Sequence, residues 1–142
     1  MALKMKSKSV LKKYEEHLDD RLWMVEEAGT GVPVGAVYEL MGSTLLNKDF
    51  FARLLNISVK TLDRYRVSAR NLSPSGGELI LKLYALFRKG EALFGNQEEF
   101  QKWIERPAYG LGFRVPKNMI QTSSGIDLVM DELIRIEFGD LA

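Results

Sequence analysis

Residues 47–70 read NKDFFARLLNISVKTLDRYRVSAR, two short amphipathic segments separated by Asn56, Ile57 and Ser58. In the first segment Phe50, Phe51, Leu54 and Leu55 gather on one side of a helix, because side chains three and four apart share a face, while Lys48, Asp49 and Arg53 fall elsewhere. Ser58 stands where a hydroxyl can accept a hydrogen bond from an unpaired amide and so start the next helix. Ile57 before it and Leu62 after it can close over that start as a hydrophobic staple. At about 100° per residue, Val59, Leu62 and Ala69 turn inward while Lys60, Thr61, Arg64, Tyr65 and Ser68 share the outer arc. Two helices at this spacing, the second with a basic outer face, make a helix-turn-helix pattern, in which the second helix enters the major groove of DNA.

In that pattern the N-terminal residues of the second helix meet base edges, where Lys and Arg donate to guanine acceptors and Thr serves a base or a phosphate. Lys60, Thr61 and Arg64 are therefore expected to read bases. Arg53, Arg66 and Arg70 lie nearer the flanks, where long cationic side chains hold phosphates and set register. Ser58, Tyr65 and Ser68 complete the candidate DNA-binding set, and operator DNA is the expected partner. The competing reading is a helical hairpin inside a larger bundle, its charges simply solvated.

Charge is distributed in a way that suits this reading better than its total does. The chain has 20 Lys plus Arg against 19 Asp plus Glu, so it is nearly neutral. Residues 1–13 carry five Lys and no acid, residues 14–32 six acids and one base, residues 33–95 nine bases and five acids, and residues 96–142 five bases and eight acids. The positive charge of the middle segment sits around the proposed motif, as phosphate neutralisation requires. The acidic C-terminal third suits a protein partner rather than DNA, although runs of surface acids are commonly just solvated.

With 142 residues, 46% of them hydrophobic, the chain can bury one core without a covalent staple. The absence of cysteine excludes disulfides and thiolate metal sites and is compatible with a reducing cytoplasm. No apolar run approaches the roughly 20 residues of a membrane span, and the Lys-rich start lacks a secretory signal's apolar core. A cytoplasmic protein with no membrane contact is expected.

Outside the motif the periodicity is helical throughout, so the fold class is all-α. Leu11, Tyr14, Leu18, Leu22 and Val25 predict one amphipathic helix over 9–28 behind a basic arm, with Gly29 to Gly35 as a hinge. Pro33 is expected in the first turn of a helix carrying Val34, Val37, Tyr38, Leu40 and Met41, with Gly42 as its left-handed end. Ser75 with Glu78 predicts a capping box opening a long helix through Phe94 that Gly95 closes, and Asn96 with Glu99 a second box before Phe100, Trp103 and Ile104. A link from Ala108 to Pro116 precedes a last helix carrying Ile126, Val129, Met130, Leu133 and Ile136, which Gly139 is placed to stop. The organisation read from this is a basic arm and amphipathic helix over 1–32, a helix-turn-helix unit over 33–72 and a small helical domain over 73–142.

Enzymatic readings find no support. His17 is the single histidine and sits among acids, where solvation is the ordinary fate and a positioned catalytic partner is lacking. Glu15 with Asp19 and Asp127 with Asp131 share helix faces as surface charge, and Asp131 to Arg135 predicts an intrahelical ion pair. Gly29, Thr30, Gly31 and Gly35 lack the Lys-Ser/Thr ending of a phosphate loop. No catalytic residue, metal or cofactor is expected.

Over roughly residues 33 to 139 the sequence resembles the antitoxins of the Xre/MbcA/ParS type. The resemblance is carried by Leu54 to Ser58, Lys60 to Arg64, Ala92 to Gly95, Trp103 with Pro107, Leu111 and Gly112 before Pro116, then Thr122, Gly125, Val129, Leu133, Arg135, Ile136 and Gly139. It implies an antitoxin of a type II toxin-antitoxin pair. The N-terminal helix-turn-helix would repress its own operon, and the C-terminal toxin-binding domain would silence a RES-domain toxin that consumes NAD by covering its active site. The implied toxin-binding residues are Leu133, Arg135, Ile136, Glu137, Gly139 and Asp140, within a blocking element from Leu133 to Ala142. A homodimer on paired operator half-sites goes with this reading. The alternative is a stand-alone helix-turn-helix transcriptional regulator whose C-terminal domain only dimerises.

Overall fold

A computed structural model describes residues 9–139, which takes in all of the expected site residues except Asp140 and all of the basic arm beyond residue 8. After a 3-10 turn at Lys12–His17 come seven α-helices: α1 Arg21–Thr30, α2 Gly35–Ser43, α3 Lys48–Leu55, α4 Val59–Val67, α5 Pro74–Phe94, α6 Gln97–Ile104 and α7 Ser123–Glu137. Short 3-10 turns at Tyr109–Leu111 and Pro116–Asn118 join α6 to α7. Among the described residues only two isolated bridges, Pro33 with Asn71 and Ala108 with Arg114, interrupt the helical pattern, so the fold is all-α.

Helix α5 is the centre. It packs against α1, α6 and α7 and also touches α2 and α3. Its Ile80, Leu81, Leu83, Leu86 and Phe87 are all buried, on several sides of the helix rather than along one stripe. Burying such a side chain fully is worth about 1.5–3 kcal/mol, so these five alone outweigh any local preference in placing the helix. One continuous apolar cluster joins them to Phe51, Leu54 and Leu62 on the helix-turn-helix side and to Phe100, Ile104, Val129 and Leu133 on the other.

Local details depart from the sequence reading where long-range packing or a better cap prevails. Residues 9–28 are not one helix. The backbone breaks after Leu18, and Asp20 caps a new helix by accepting from the Trp23 amide at 3.0 Å. The break shifts the helical phase, so Met24 and Ala28 face the core while Leu22 and Val25 lie 68% and 54% exposed. Val32 and Val34 in the expected hinge are instead buried and tied down: the Val34 amide donates to the Arg70 carbonyl at 3.0 Å and the Leu72 amide to the Val32 carbonyl at 2.8 Å. Pro33 therefore lies just before α2, which runs through Gly42 to Ser43 before Thr44 extends. The long helix is capped by Ser73, whose hydroxyl accepts from the Gly76 amide at 3.1 Å, with Pro74 in the first turn. Ser75 is thus inside the helix, because Pro at the first helical position is the stronger start signal. Gly95 at φ +97° ends it, and Asn96 caps α6 through the Glu99 amide at 2.8 Å, both as the sequence indicates.

Gly90 faces the ring of Phe100, and a Cβ there would overlap that ring. A Gly90→Ala variant gains up to ~1 kcal/mol of helix propensity, yet the overlap in a filled core costs about 1–3 kcal/mol. The expected net result is a less stable protein, read as a lower urea midpoint with an unchanged slope.

Candidate functional site

Helices α3 and α4 are built from the residues that the sequence singles out. Asn47 caps α3 through the Phe50 amide at 2.9 Å, and Phe51, Ala52 and Leu54 are buried beneath it. The turn is made by Asn56 in the left-handed conformation at φ +57°, which Asn tolerates better than most residues. The Ile57 amide then bonds back to the Ala52 carbonyl at 3.0 Å. Ser58 caps α4 as expected, accepting from the Thr61 amide at 3.0 Å and donating to the Thr61 hydroxyl at 2.9 Å. Leu62 is wholly buried and locks α4 onto the core.

The expected DNA-binding residues fall into three environments. Arg53, Lys60 and Arg64 are exposed, with no ion pair among the described residues, and Lys60 and Arg64 project from the outer face of α4. Ser58, Thr61 and Ser68 are engaged in capping: the Ser68 hydroxyl donates to the Arg64 carbonyl at 3.1 Å. Tyr65, Arg66 and Arg70 are held by aromatic packing. Tyr65 is half-buried against the core with the Arg70 guanidinium 4.6 Å from its ring centroid, and the Arg66 guanidinium lies 4.2 Å from that of Tyr38. Ala69, expected inside, is exposed at φ +54°, because α4 stops at Val67.

A polar cluster behind α4 has no counterpart in the sequence reading. The Tyr38 hydroxyl of α2 donates to the Asp63 carboxylate of α4 at 2.6 Å, and Lys48 of α3 pairs with the same oxygen at 2.9 Å. The three partners come from three helices, so the cluster fixes the angle of α4 against α2 and α3. It also neutralises the one acid on α4 that would oppose a phosphate. The hydrogen bond from Tyr38, then that from Lys48, holds the Asp63 carboxyl below the usual carboxylate range. Burial first, and Asp63 second, push the Tyr38 phenol up to about 12. Tyr38 and Asp63 are 25 residues apart, beyond any local pattern.

At the other end of the molecule, Thr122 caps α7 through the Gly125 amide at 3.0 Å, and Ile126, Val129 and Leu133 are buried against α5. Leu133 has no exposed surface, so its side chain serves the core rather than a partner. Ile136 is half-buried, Arg135, Glu137 and Gly139 are exposed, and Asp140 lies outside the described residues. Glu137 pairs with Lys89 of α5 at 2.9 Å. Arg135 does not pair with Asp131 as its spacing suggests. It bonds instead to Glu132, one turn away, and to the Gly110 carbonyl at 3.1 Å. Glu132 is only 2% exposed and lies against Gly110, where a Cβ would collide with its carboxylate. A buried charge without a partner is costly, so the cationic Arg135 is drawn to it. Glu132 sits beside the stripe of Val129, Leu133 and Ile136, and an acid flanking an apolar stripe is the signal that could have revealed this.

His17 stacks on Trp23, ring centroids 4.6 Å apart. Among the described residues no three His, Cys, Asp or Glu side chains are grouped to hold a metal, and no helix is long and apolar enough to cross a membrane.

Residues 89–139, covering α6, α7 and the loops between them, match the family model of the antitoxin Xre/MbcA/ParS C-terminal toxin-binding domain. The chain is 26% identical over 110 residues to a protein named Antitoxin Xre from Photorhabdus laumondii subsp. laumondii, covering 77% of this chain and 74% of the relative. It is 25% identical over 117 residues to a second Antitoxin Xre from Yersinia enterocolitica, covering 82% and 79%. The C-terminal segment is thus similar to the toxin-binding domain of the Xre/MbcA/ParS antitoxins. The match falls on the segment carrying Glu132 and Arg135, whereas the Tyr38, Lys48 and Asp63 cluster lies before it.

The Tyr38 to Asp63 bond has a defined pH signature. The lowered Asp63 carboxyl contributes stability that is present above its ordinary value of 3.8 and is lost as pH falls through its lower folded value. The raised Tyr38 phenol contributes stability that is complete below 10.0 and is lost as pH rises toward about 12. Tyr38→Phe should therefore be less stable than wild type at pH 7. Urea denaturation should show the gap narrowing below pH 3.8 and again above pH 10.0.

Proposed function

We propose that this chain is the antitoxin of a type II toxin-antitoxin pair, which neutralises a RES-domain, NAD-consuming toxin through residues 73–142 and represses its own operon through a DNA-binding unit at 33–72. The observation that carries the reading is the match of residues 89–139 to a toxin-binding domain, joined to a helix-turn-helix with free cations on its outer face.

On the toxin side, Leu133 and Ile126 fix α7 on α5, so the end of α7 stands on a rigid base. Arg135, Ile136, Glu137, Gly139 and Asp140 then supply the contacts that cover the toxin's NAD pocket. The antitoxin itself performs no chemistry: it acts by occlusion. On the DNA side, Lys60 and Arg64 reach base edges and Arg53 a phosphate, while Arg66 and Arg70, braced on tyrosine rings, hold the register. Two copies on paired half-sites would form the repressing dimer in the cytoplasm.

Two variants separate the roles. Arg64→Ala should weaken binding to the matched operator by about 1–3 kcal/mol in fluorescence anisotropy and leave toxin neutralisation intact. Removal of residues 138–142, which lie beyond the end of α7, should do the reverse: the co-expressed RES-domain protein resumes NAD consumption while operator affinity holds. A full-length chain that binds DNA but leaves that NAD consumption untouched would mean a regulator without a toxin.

A further inference from the structure

The loop between α6 and α7 carries two features that the helical core does not require. Tyr109 and Phe113 stand 77% and 66% exposed, packed edge to face with ring centroids 5.3 Å apart. Phe113 is held at φ +63°, a region that bulky side chains rarely adopt. Such strain persists only where the surroundings impose it. Here they do: the Phe113 amide donates to the Ala108 carbonyl at 2.9 Å, the Ala108 amide to the Arg114 carbonyl at 3.0 Å, and Arg135 holds the Gly110 carbonyl at 3.1 Å. The loop is thus a rigid clasp with two aromatic rings on its outside.

Arg135 joins this clasp to α7. Leu128, Asp131, Arg135 and Phe138 recur at spacings of three and four and so share one outward stripe, on which Leu128 is 50% and Phe138 77% exposed. Exposed aromatic side chains on a fixed backbone bind with little loss of freedom, and aromatics with Arg dominate the energetics of protein interfaces. The charge of residues 96–142, five bases against eight acids, does not suit a nucleic acid. All of these residues lie within 89–139, the segment matching a toxin-binding domain.

We propose that Tyr109 and Phe113, on the clasp that Arg135 ties to α7, form an apolar docking surface for the toxin, separate from the tail that covers its pocket. This rests on the antitoxin reading above. The clasp supplies affinity and the tail supplies occlusion.

The test uses the full chain and the RES-domain protein of the same genome in isothermal titration calorimetry, with NAD consumption followed in parallel. A Tyr109→Ser/Phe113→Gly double variant should bind the toxin roughly 100-fold more weakly. Both rings being exposed, and Gly favouring a positive φ, its melting temperature should not fall. A Leu22→Ser/Val67→Ser control, equally exposed but outside the matched segment, should bind as wild type. Wild-type affinity in the Tyr109/Phe113 double variant would overturn the docking surface and leave the antitoxin reading standing. Wild-type chain with no affinity for the toxin would overturn both. If the double variant instead only dissolved a homodimer in sedimentation equilibrium, with toxin affinity unchanged, the surface would belong to a second copy and the proposal would fail.

Discussion

Helix α5 buries apolar side chains on several sides, and a helix of that kind is stable only when other elements cover it all round. The remaining helices are arranged to meet this demand: α1, α6 and α7 lie against it, and α2 and α3 touch it from the helix-turn-helix side. Two of its positions lack a side chain where a neighbour comes closest. Val32 lies 3.0 Å from where a Cβ on Gly77 would stand, and Phe100 fills the space beside Gly90. These two glycines let Val32 and Phe100 pack close against α5 within one continuous core.

Polar contacts between elements are used to set angles. Behind α4, one carboxylate collects Tyr38 and Lys48 from two other helices. In α7, the buried Glu132 collects Arg135, which also grips the Gly110 carbonyl of the preceding loop. In both places an acid on one helix fixes the pose of a neighbouring element, leaving free cations outside the first and exposed rings outside the second. The N-terminal turn is held similarly, since Glu39 of α2 accepts from the amides of Val10 and Leu11 at 2.6 and 3.2 Å, and Tyr84 of α5 donates to Glu15 at 3.1 Å.

The all-α class, the α3 and α4 pair, the Ser58 and Asn96 caps and the core stripe of α7 were legible because each depends on neighbours within a few residues. What was not legible depended on distant contacts or on competition between local signals. Ser73 outcompetes Ser75 because Pro74 follows it, and Asp20 restarts a helix whose periodicity read as continuous from Leu11 to Val25. Of the candidate site, the exposure of Arg53, Lys60 and Arg64 followed from helical phase. The bracing of Arg66 on Tyr38, the removal of Leu133 into the core and the exchange of Asp131 for Glu132 as the partner of Arg135 all need the tertiary fold.

The two backbone bonds between residues 32–34 and 70–72 bring together the points where the chain enters and leaves the segment from α2 to α4. Topologically that segment is an insert whose ends meet, set between α1 and α5, which pack directly on each other. Its Phe51, Leu54 and Leu62 belong to the common core, so a change elsewhere in the insert leaves the connections of the surrounding body in place.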